Sequence, residues 1–249
     1  DQRSAVGSLV LPASTYGLAG CSGSKDEGYF GGGNTGAFTN KIYVFDYATE
    51  QIELMSIDTL DSNRAFVACI SDGHSKGYWA GGKGGLGSVK TIEVQDIATG
   101  TLSSTGTFIL SADTSNVTGS DGNGIEGFFA GGLLSTGATK VINVLSYTTG
   151  TFLATNPQLS LAKHSMGGAA NNDNKGYFSG GSSKSDATSF IKKTEIIEHI
   201  TYAMSTPKSA ELDYGRSCLT AVSSKRNTLP PAKCGEYTCN SCLLYTSPS

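Results

Sequence analysis

Three histidines, His74, His164 and His199, are the only imidazoles in the 249-residue chain. A histidine-rich metal centre or a nucleophile–base pair would have to draw on them. They fall in three different connections of the repeat described below, so they are not expected to converge on one ion. Packing or surface roles are expected instead. No Gly-x-Ser-x-Gly elbow, phosphate-cradling glycine loop or paired metal motif occurs. Four aspartates, Asp26, Asp72, Asp121 and Asp173, each stand just ahead of a Gly-aromatic motif. Each offers too few carboxylates at ligand spacing for calcium, and closure of a hairpin by an Asx side chain is the better account. Lysines Lys41, Lys90, Lys140 and Lys193 stand immediately before a strand in every repeat. On equivalent positions they would form an arc of positive charge facing an anionic partner. The alternative is that each only solubilises the start of its strand.

The elements that would position these groups follow from composition and periodicity. Glycine is abundant, at 33 residues, and charged residues make up only 16%. With 38% apolar residues and a net charge of −3, the chain is not intrinsically disordered. A pI near 5.6 gives no basic footprint for nucleic acid. No apolar run reaches the roughly 18 residues of a membrane span.

Four segments are alike: Gly28 to Gly33 (Gly-Tyr-Phe-Gly-Gly-Gly), Gly77 to Gly82, Gly127 to Gly132 and Gly176 to Gly181. They recur 49, 50 and 49 residues apart, the mark of a unit that stacks on its neighbours. A variable Gly/Ser/Thr-rich loop follows each doublet, then a strand of period two: Ile42-Tyr43-Val44, Ile92-Glu93-Val94, Ile142-Asn143-Val144 and Thr194-Glu195-Ile196. These read as half-buried strands with one face towards water. Seven residues past Phe45, Gln95, Leu145 and Ile197 comes an apolar residue, Ile52, Leu102, Phe152 or Met204, opening a further strand. Strands of small residues precede the glycine motifs at Leu18–Cys21, Phe66–Ile70, Val117–Gly119 and Met166–Ala169, and recur at Leu219–Val222. Cys21, Cys69 and Cys218 occupy nearly the same place in them and are expected to be small buried residues, not bridges. The sequon Asn116-Val117-Thr118 opens such a strand and is taken as accidental. Small inner strands, glycine doublets and paired aromatics together predict sheets converging on a common axis, a radial stack of blades with no helix within the units.

The doublet after an apolar strand, at a period near fifty, resembles kelch-type β-propellers over roughly residues 5 to 224. The family's tyrosine is Phe45, Gln95, Leu145 and Ile197 here, and its tryptophan is Ile52, Leu102, Phe152 and Met204. The Gly-aromatic-aromatic-x-Gly-Gly opening is more similar to kelch-like repeats of bacterial and phage structural proteins. WD repeats fit less well, having a shorter period and a Trp-Asp dipeptide that is lacking here. The resemblance implies an all-β, kelch-like β-propeller over 1–224, with repeats at about 28–76, 77–126, 127–175 and 176–224. It implies four full four-stranded blades plus partial blades at both ends, from Ala5 to Pro12 and from Leu219 to Val222, as an incomplete ring.

The resemblance also raises enzymatic alternatives. The family's oxidase holds copper with histidines and tyrosines and carries a cysteine–tyrosine thioether, and scattered histidines argue against it. Sialidase-type hydrolysis would need an arginine triad and repeated Asp-boxes. The chain has only Arg3, Arg64, Arg216 and Arg226, and one half-match at Ser24 to Gly28.

The expected function is therefore a non-catalytic binding or structural module without a cofactor. Its loops Asn34–Asn40, Lys83–Val89, Leu133–Thr139 and Ser182–Lys192 would engage a protein or glycan, with Lys41, Lys90, Lys140 and Lys193 as candidate contacts. An extracellular or virion setting suits the charge-poor Ser/Thr/Asn/Gly surface, and a cytoplasmic adaptor is the alternative. The chain opens with Asp1, which reads as a processed protein or a fragment. Residues 225–249 carry Cys234, Cys239 and Cys242 and an ending from Cys242 to Ser249 that looks like a translated sequencing adapter. They are expected to be an irregular tail left by sequencing or assembly. The alternative is a small disulfide or zinc extension, one ligand short of a closed zinc site.

Overall fold

A computed structural model of the chain describes residues 11–23, 27–104, 108–154, 156–171, 174–184 and 189–221. The stretch Ala5 to Val10, Asp26, Asp173, Val222 and residues 225–249 lie outside the described residues. Within them the structure is all-β apart from one 3-10 turn at Lys208–Ala210. Four antiparallel four-stranded sheets follow one another, and in each the chain order is the spatial order. Sheet 1 comprises Ala19–Ser22, Glu27–Gly31, Ile42–Asp46 and Gln51–Leu54. Sheet 2 comprises Ala68–Ser71, Lys76–Ala80, Ile92–Asp96 and Leu102–Ser103. Sheet 3 comprises Thr118–Ser120, Glu126–Ala130, Ile142–Ser146 and Thr151–Phe152. Sheet 4 comprises Gly167–Asn171, Lys175–Ser179, Thr194–Glu198 and Met204–Ser205.

The seven-residue spacing seen in the sequence is cross-strand pairing. Phe45 faces Ile52, Gln95 faces Leu102, Leu145 faces Phe152 and Ile197 faces Met204. The outer strands are short in three of the four sheets, spanning two residues each. Two post-doublet loops form hairpins of their own, Lys83–Gly84 with Gly87–Ser88 and Leu133–Leu134 with Gly137–Ala138. Leu219–Ala221 is not a strand, since no second strand lies beside it to complete a ladder among the described residues.

The first strands of consecutive sheets are neighbours, and small residues let them be so. A methyl on Gly119 would stand 2.7 Å from the Cys69 carbonyl oxygen, and one on Gly168 would collide with the Gly119 carbonyl. Hydroxyls then join the sheets: Thr118 Oγ1 donates to Met166 O at 3.1 Å and Ser120 Oγ to Ala169 O at 2.8 Å. Just before each first strand one residue is left-handed, Gly17, Phe66, Asn116 and Ser165 in turn, and Cys218 is left-handed at the corresponding place after sheet 4. Each N–H from Phe66 onward donates to the carbonyl of the previous member, at 2.7, 3.0, 3.1 and 2.8 Å. A left-handed non-glycine residue costs on the order of 1 kcal/mol or more, so this chain of bonds holds strained backbone in place.

The core is divided among the gaps between sheets. Tyr29, Ile42, Leu60 and Trp79 fill the gap between sheets 1 and 2. Tyr78, Val94, Leu110, Phe129 and Leu145 fill the next, and Phe128, Val144, Leu159, Phe178 and Ile197 the third. Each buried ring of this kind stabilises by roughly 1.5–3 kcal/mol. Both faces of sheets 2 and 3 are thus covered, which overturns the half-buried reading of their third strands: Glu93 and Asn143 are buried along with their neighbours. In sheet 4 the buried face is the one that carries Glu195 and Ile197. The cysteines also depart from a common place. Cys21 and Cys69 lie in first strands, whereas Cys218 is exposed at the left-handed position.

Candidate functional site

The glycine doublet ends the second strand of each sheet and begins the connection to the third, so it positions both the gap and the loop above it. The first glycine of each pair is left-handed (Gly32, Gly81, Gly131, Gly180), and a methyl on Gly81 would lie 2.5 Å from the Thr114 carbonyl. The second glycine donates its N–H to that same incoming segment: Gly33 to Arg64 O, Gly82 to Thr114 O, Gly132 to Lys163 O and Gly181 to Arg216 O, at 2.8, 2.9, 3.0 and 2.7 Å. Only glycine fits this close approach in a left-handed conformation.

The incoming segment carries charge into the interior. Arg64 is fully buried and pairs with Glu93 and with Thr91 Oγ1. Glu93 Oε2 also accepts the Asp61 N–H at 2.8 Å. Burial pushes the Glu93 carboxyl up to about 7, against the pull of the Arg64 guanidinium. Lys163, equally buried, lies 3.1 Å from Glu195, whose other oxygen accepts the Ser160 N–H at 2.6 Å. Burial draws the Lys163 ammonium below its ordinary value, and Glu195 opposes this. Between them the same position holds Thr114, with Asn143 in place of glutamate accepting the Ser111 N–H at 3.0 Å.

The four expected lysine contacts are all exposed, but they occupy two adjacent positions and not one. The carbonyls of Lys41 and Lys193 accept the first doublet N–H, from Gly32 and Gly180. Those of Lys90 and Lys140 accept from Leu110 and Leu159, as Asn40 and Lys192 do from Leu60 and Leu212. Counted back from the third strand, Lys41 and Lys193 stand one residue before it and Lys90 and Lys140 two residues before it. Loop residues 185–188 lie outside the described residues.

The histidines stay apart. His74 is exposed in a turn of sheet 2. His164 is buried, its ring bonded to Ser165 Oγ and Lys184 O, both at 2.9 Å. His199 is buried between sheets 3 and 4 against Phe128, with Glu126 3.7 Å away. Burial lowers its pKa, with Glu126 acting in the opposite sense. No group of three or more His, Cys, Asp or Glu side chains that could hold a metal occurs among the described residues.

Of the described turn aspartates, Asp72 closes its own hairpin, whereas the bond of Asp121 reaches the preceding sheet. Asp72 Oδ1 accepts the N–H groups of His74, Ser75 and Lys76, and these outweigh its burial to lower its pKa. Asp121 accepts the Ser71 N–H of the preceding sheet at 2.9 Å. Asn116 of the sequon donates from Nδ2 to Ser165 Oγ at 3.1 Å.

One feature escaped sequence reasoning. A groove of about 490 Å³ opens between sheets 2 and 3 at the end of the strands away from the doublets, lined by Lys76, Asp96, Phe108, Tyr147 and Thr149. Its floor is a stacked pair, Tyr78 and Tyr147, with ring centroids 5.3 Å apart. Burial pushes Tyr78 up to about 12. Tyr78 lies in a second strand and Tyr147 just past the third strand of the next sheet, so their pairing could be foreseen only if the sheet packing were already known.

No helix among the described residues is long and apolar enough to cross a membrane. The sequence matches no protein-family model, and no curated protein is similar enough to count as a relative.

Proposed function

We propose that the four sheets are consecutive blades of a kelch-like β-propeller that serves as a binding or structural module. The observation that carries this reading is the repeated bond from each second doublet glycine to the segment entering the next gap. It makes a rigid frame, and the connections above that frame differ in length and composition. Those connections, with Lys41, Lys90, Lys140 and Lys193, engage a protein or an anionic glycan in an extracellular or virion setting.

A glycan array probed with the full chain and with the Lys90→Ala/Lys140→Ala variant tests the lysines. Weaker binding to acidic glycans in the variant supports their role, and unchanged binding removes them. The alternative, a galactose-oxidase-like or glycan-active enzyme, predicts stoichiometric copper on the purified protein or turnover of a glycan substrate. Either result would replace the binding reading.

A further inference from the structure

We propose that the face of sheet 4 left uncovered among the described residues is a docking slot for a further four-stranded sheet of this same repeat, one that brings a carboxylate to Arg216. This rests on reading the sheets as successive blades.

Residues Leu212 to Leu219 repeat four backbone bonds that the segment in each filled gap makes to the sheet before it. Leu212 N–H donates to Lys192 O at 2.8 Å, as Leu60, Leu110 and Leu159 donate to their counterparts. Arg216 N–H donates to Ile191 O, as Arg64, Thr114 and Lys163 donate to Thr39, Val89 and Thr139. Arg216 O receives Gly181, and Cys218 N–H reaches Ser165 O. The segment is therefore already seated on sheet 4. What differs is cover. Arg64 and Lys163 are fully buried, and Leu60, Leu110 and Leu159 are buried with them. Arg216 is exposed and Leu212 and Leu219 are only half-buried. Arg216 makes no ion pair among the described residues.

In the filled gaps the carboxylate comes from the second residue of the third strand of the following sheet, Glu93 for Arg64 and Glu195 for Lys163. The gap between sheets 2 and 3 carries the neutral residues Thr114 and Asn143 at the two equivalent positions. Cation and acid thus occur together within a gap or are both missing. A second copy of this chain is the poorer occupant. Its sheet 1 offers Tyr43 at the acid position, and its Leu11, Thr15 and Leu18 already line that sheet. They would compete with Leu212 to Leu219 for one space.

The test replaces residues 222–249 with a second copy of residues 70–104. This places the copied glutamate 29 residues after Arg216, as Glu93 follows Arg64. Phenylglyoxal modification, read by peptide mass spectrometry, is followed in the full chain and in the chimaera. The slot predicts that Arg216 reacts readily in the full chain and falls to the rate of Arg64 in the chimaera. Changing the copied glutamate to glutamine restores its reactivity. The thermal midpoint of the chimaera rises, and Arg216→Met cancels the rise while leaving the full chain unmoved. Arg216 reacting equally in both proteins overturns the proposal, as does a chimaera whose midpoint is indifferent to Arg216. A chimaera that fails to fold also counts against it, since the added sheet has then found no seat. Arg64 is the separate control: if it reacts as fast as Arg216 in the full chain, the blade reading itself is wrong.

Discussion

The gap between sheets 2 and 3 and the gaps on either side of it share one backbone geometry and solve one problem in two ways. The flanking gaps bury a cation against a glutamate, Arg64 with Glu93 and Lys163 with Glu195. The middle gap uses Thr114 and Asn143, which are buried too but carry no charge. In all three the acid or amide oxygen accepts a backbone N–H, from Asp61, Ser111 or Ser160. What the position requires is therefore an acceptor for that N–H and a filled volume. Charge is an option. Removing charges from water is costly, so a buried pair is not automatically more stable than a neutral one, although losing one member of it leaves the other stranded.

The largest effect should come from stranding a charge. Glu195→Ala leaves Lys163 buried alone and should cost about 3–5 kcal/mol, read as a fall in the urea midpoint. The equivalent change in the neutral gap, Asn143→Ala, should cost only about 1–3 kcal/mol for the lost acceptor. Equal losses would mean that charge plays no part. Packing is compared in the same way. Phe129 is fully buried and Phe30, at its repeat position, is 37% exposed. Phe129→Ala should cost about 3–5 kcal/mol, and Phe30→Ala well under half of that. Similar values would mean that Phe30 is covered in solution.

A conversion sharpens the comparison further. Arg64→Thr combined with Glu93→Asn turns a charged gap into a neutral one. It should stay within about 2 kcal/mol of the parent, while either single change does worse, in a double-mutant cycle. A cycle with no coupling would show that the pair does not act as a unit.

The smallest expected effect concerns pH. His199 takes the place that Tyr147 holds one sheet earlier. Its folded pKa is depressed, so below pH about 6.5 the unfolded chain takes up a proton that the folded one resists. Its contribution to stability is present above that pH and is lost on acidification towards the folded pKa. His199→Tyr should flatten the slope of stability against pH over this window. An unchanged slope would assign the acid sensitivity elsewhere.

These comparisons also show what the residues alone could reveal. Period-two patterning gave the third strands, and the seven-residue spacing gave their pairs, because both reflect local backbone geometry. Burial of Glu93 and Asn143 was not legible: alternation marks two faces but does not say that both are covered. The row of lysines looked equivalent because each stands near a strand start, yet Lys90 and Lys140 stand one residue further from it than Lys41 and Lys193. The hairpins at Lys83–Ser88 and Leu133–Ala138 were hidden in glycine-rich sequence that carries no strand periodicity. Residues Asn116 and Ser165 gave no sign of their left-handed backbone, since only contact between sheets holds it there.

That contact is the central claim, and amide hydrogen exchange tests it most directly. The N–H groups of Asn116 and Ser165 bond only to the preceding repeat, at Phe66 O and Asn116 O, so they report packing between sheets and not the existence of any one sheet. The account predicts protection at both, comparable with that of strand amides such as Tyr78 and Phe128. Exchange at the rate of the open hairpin tip at Leu86, alongside protected strands, would contradict it.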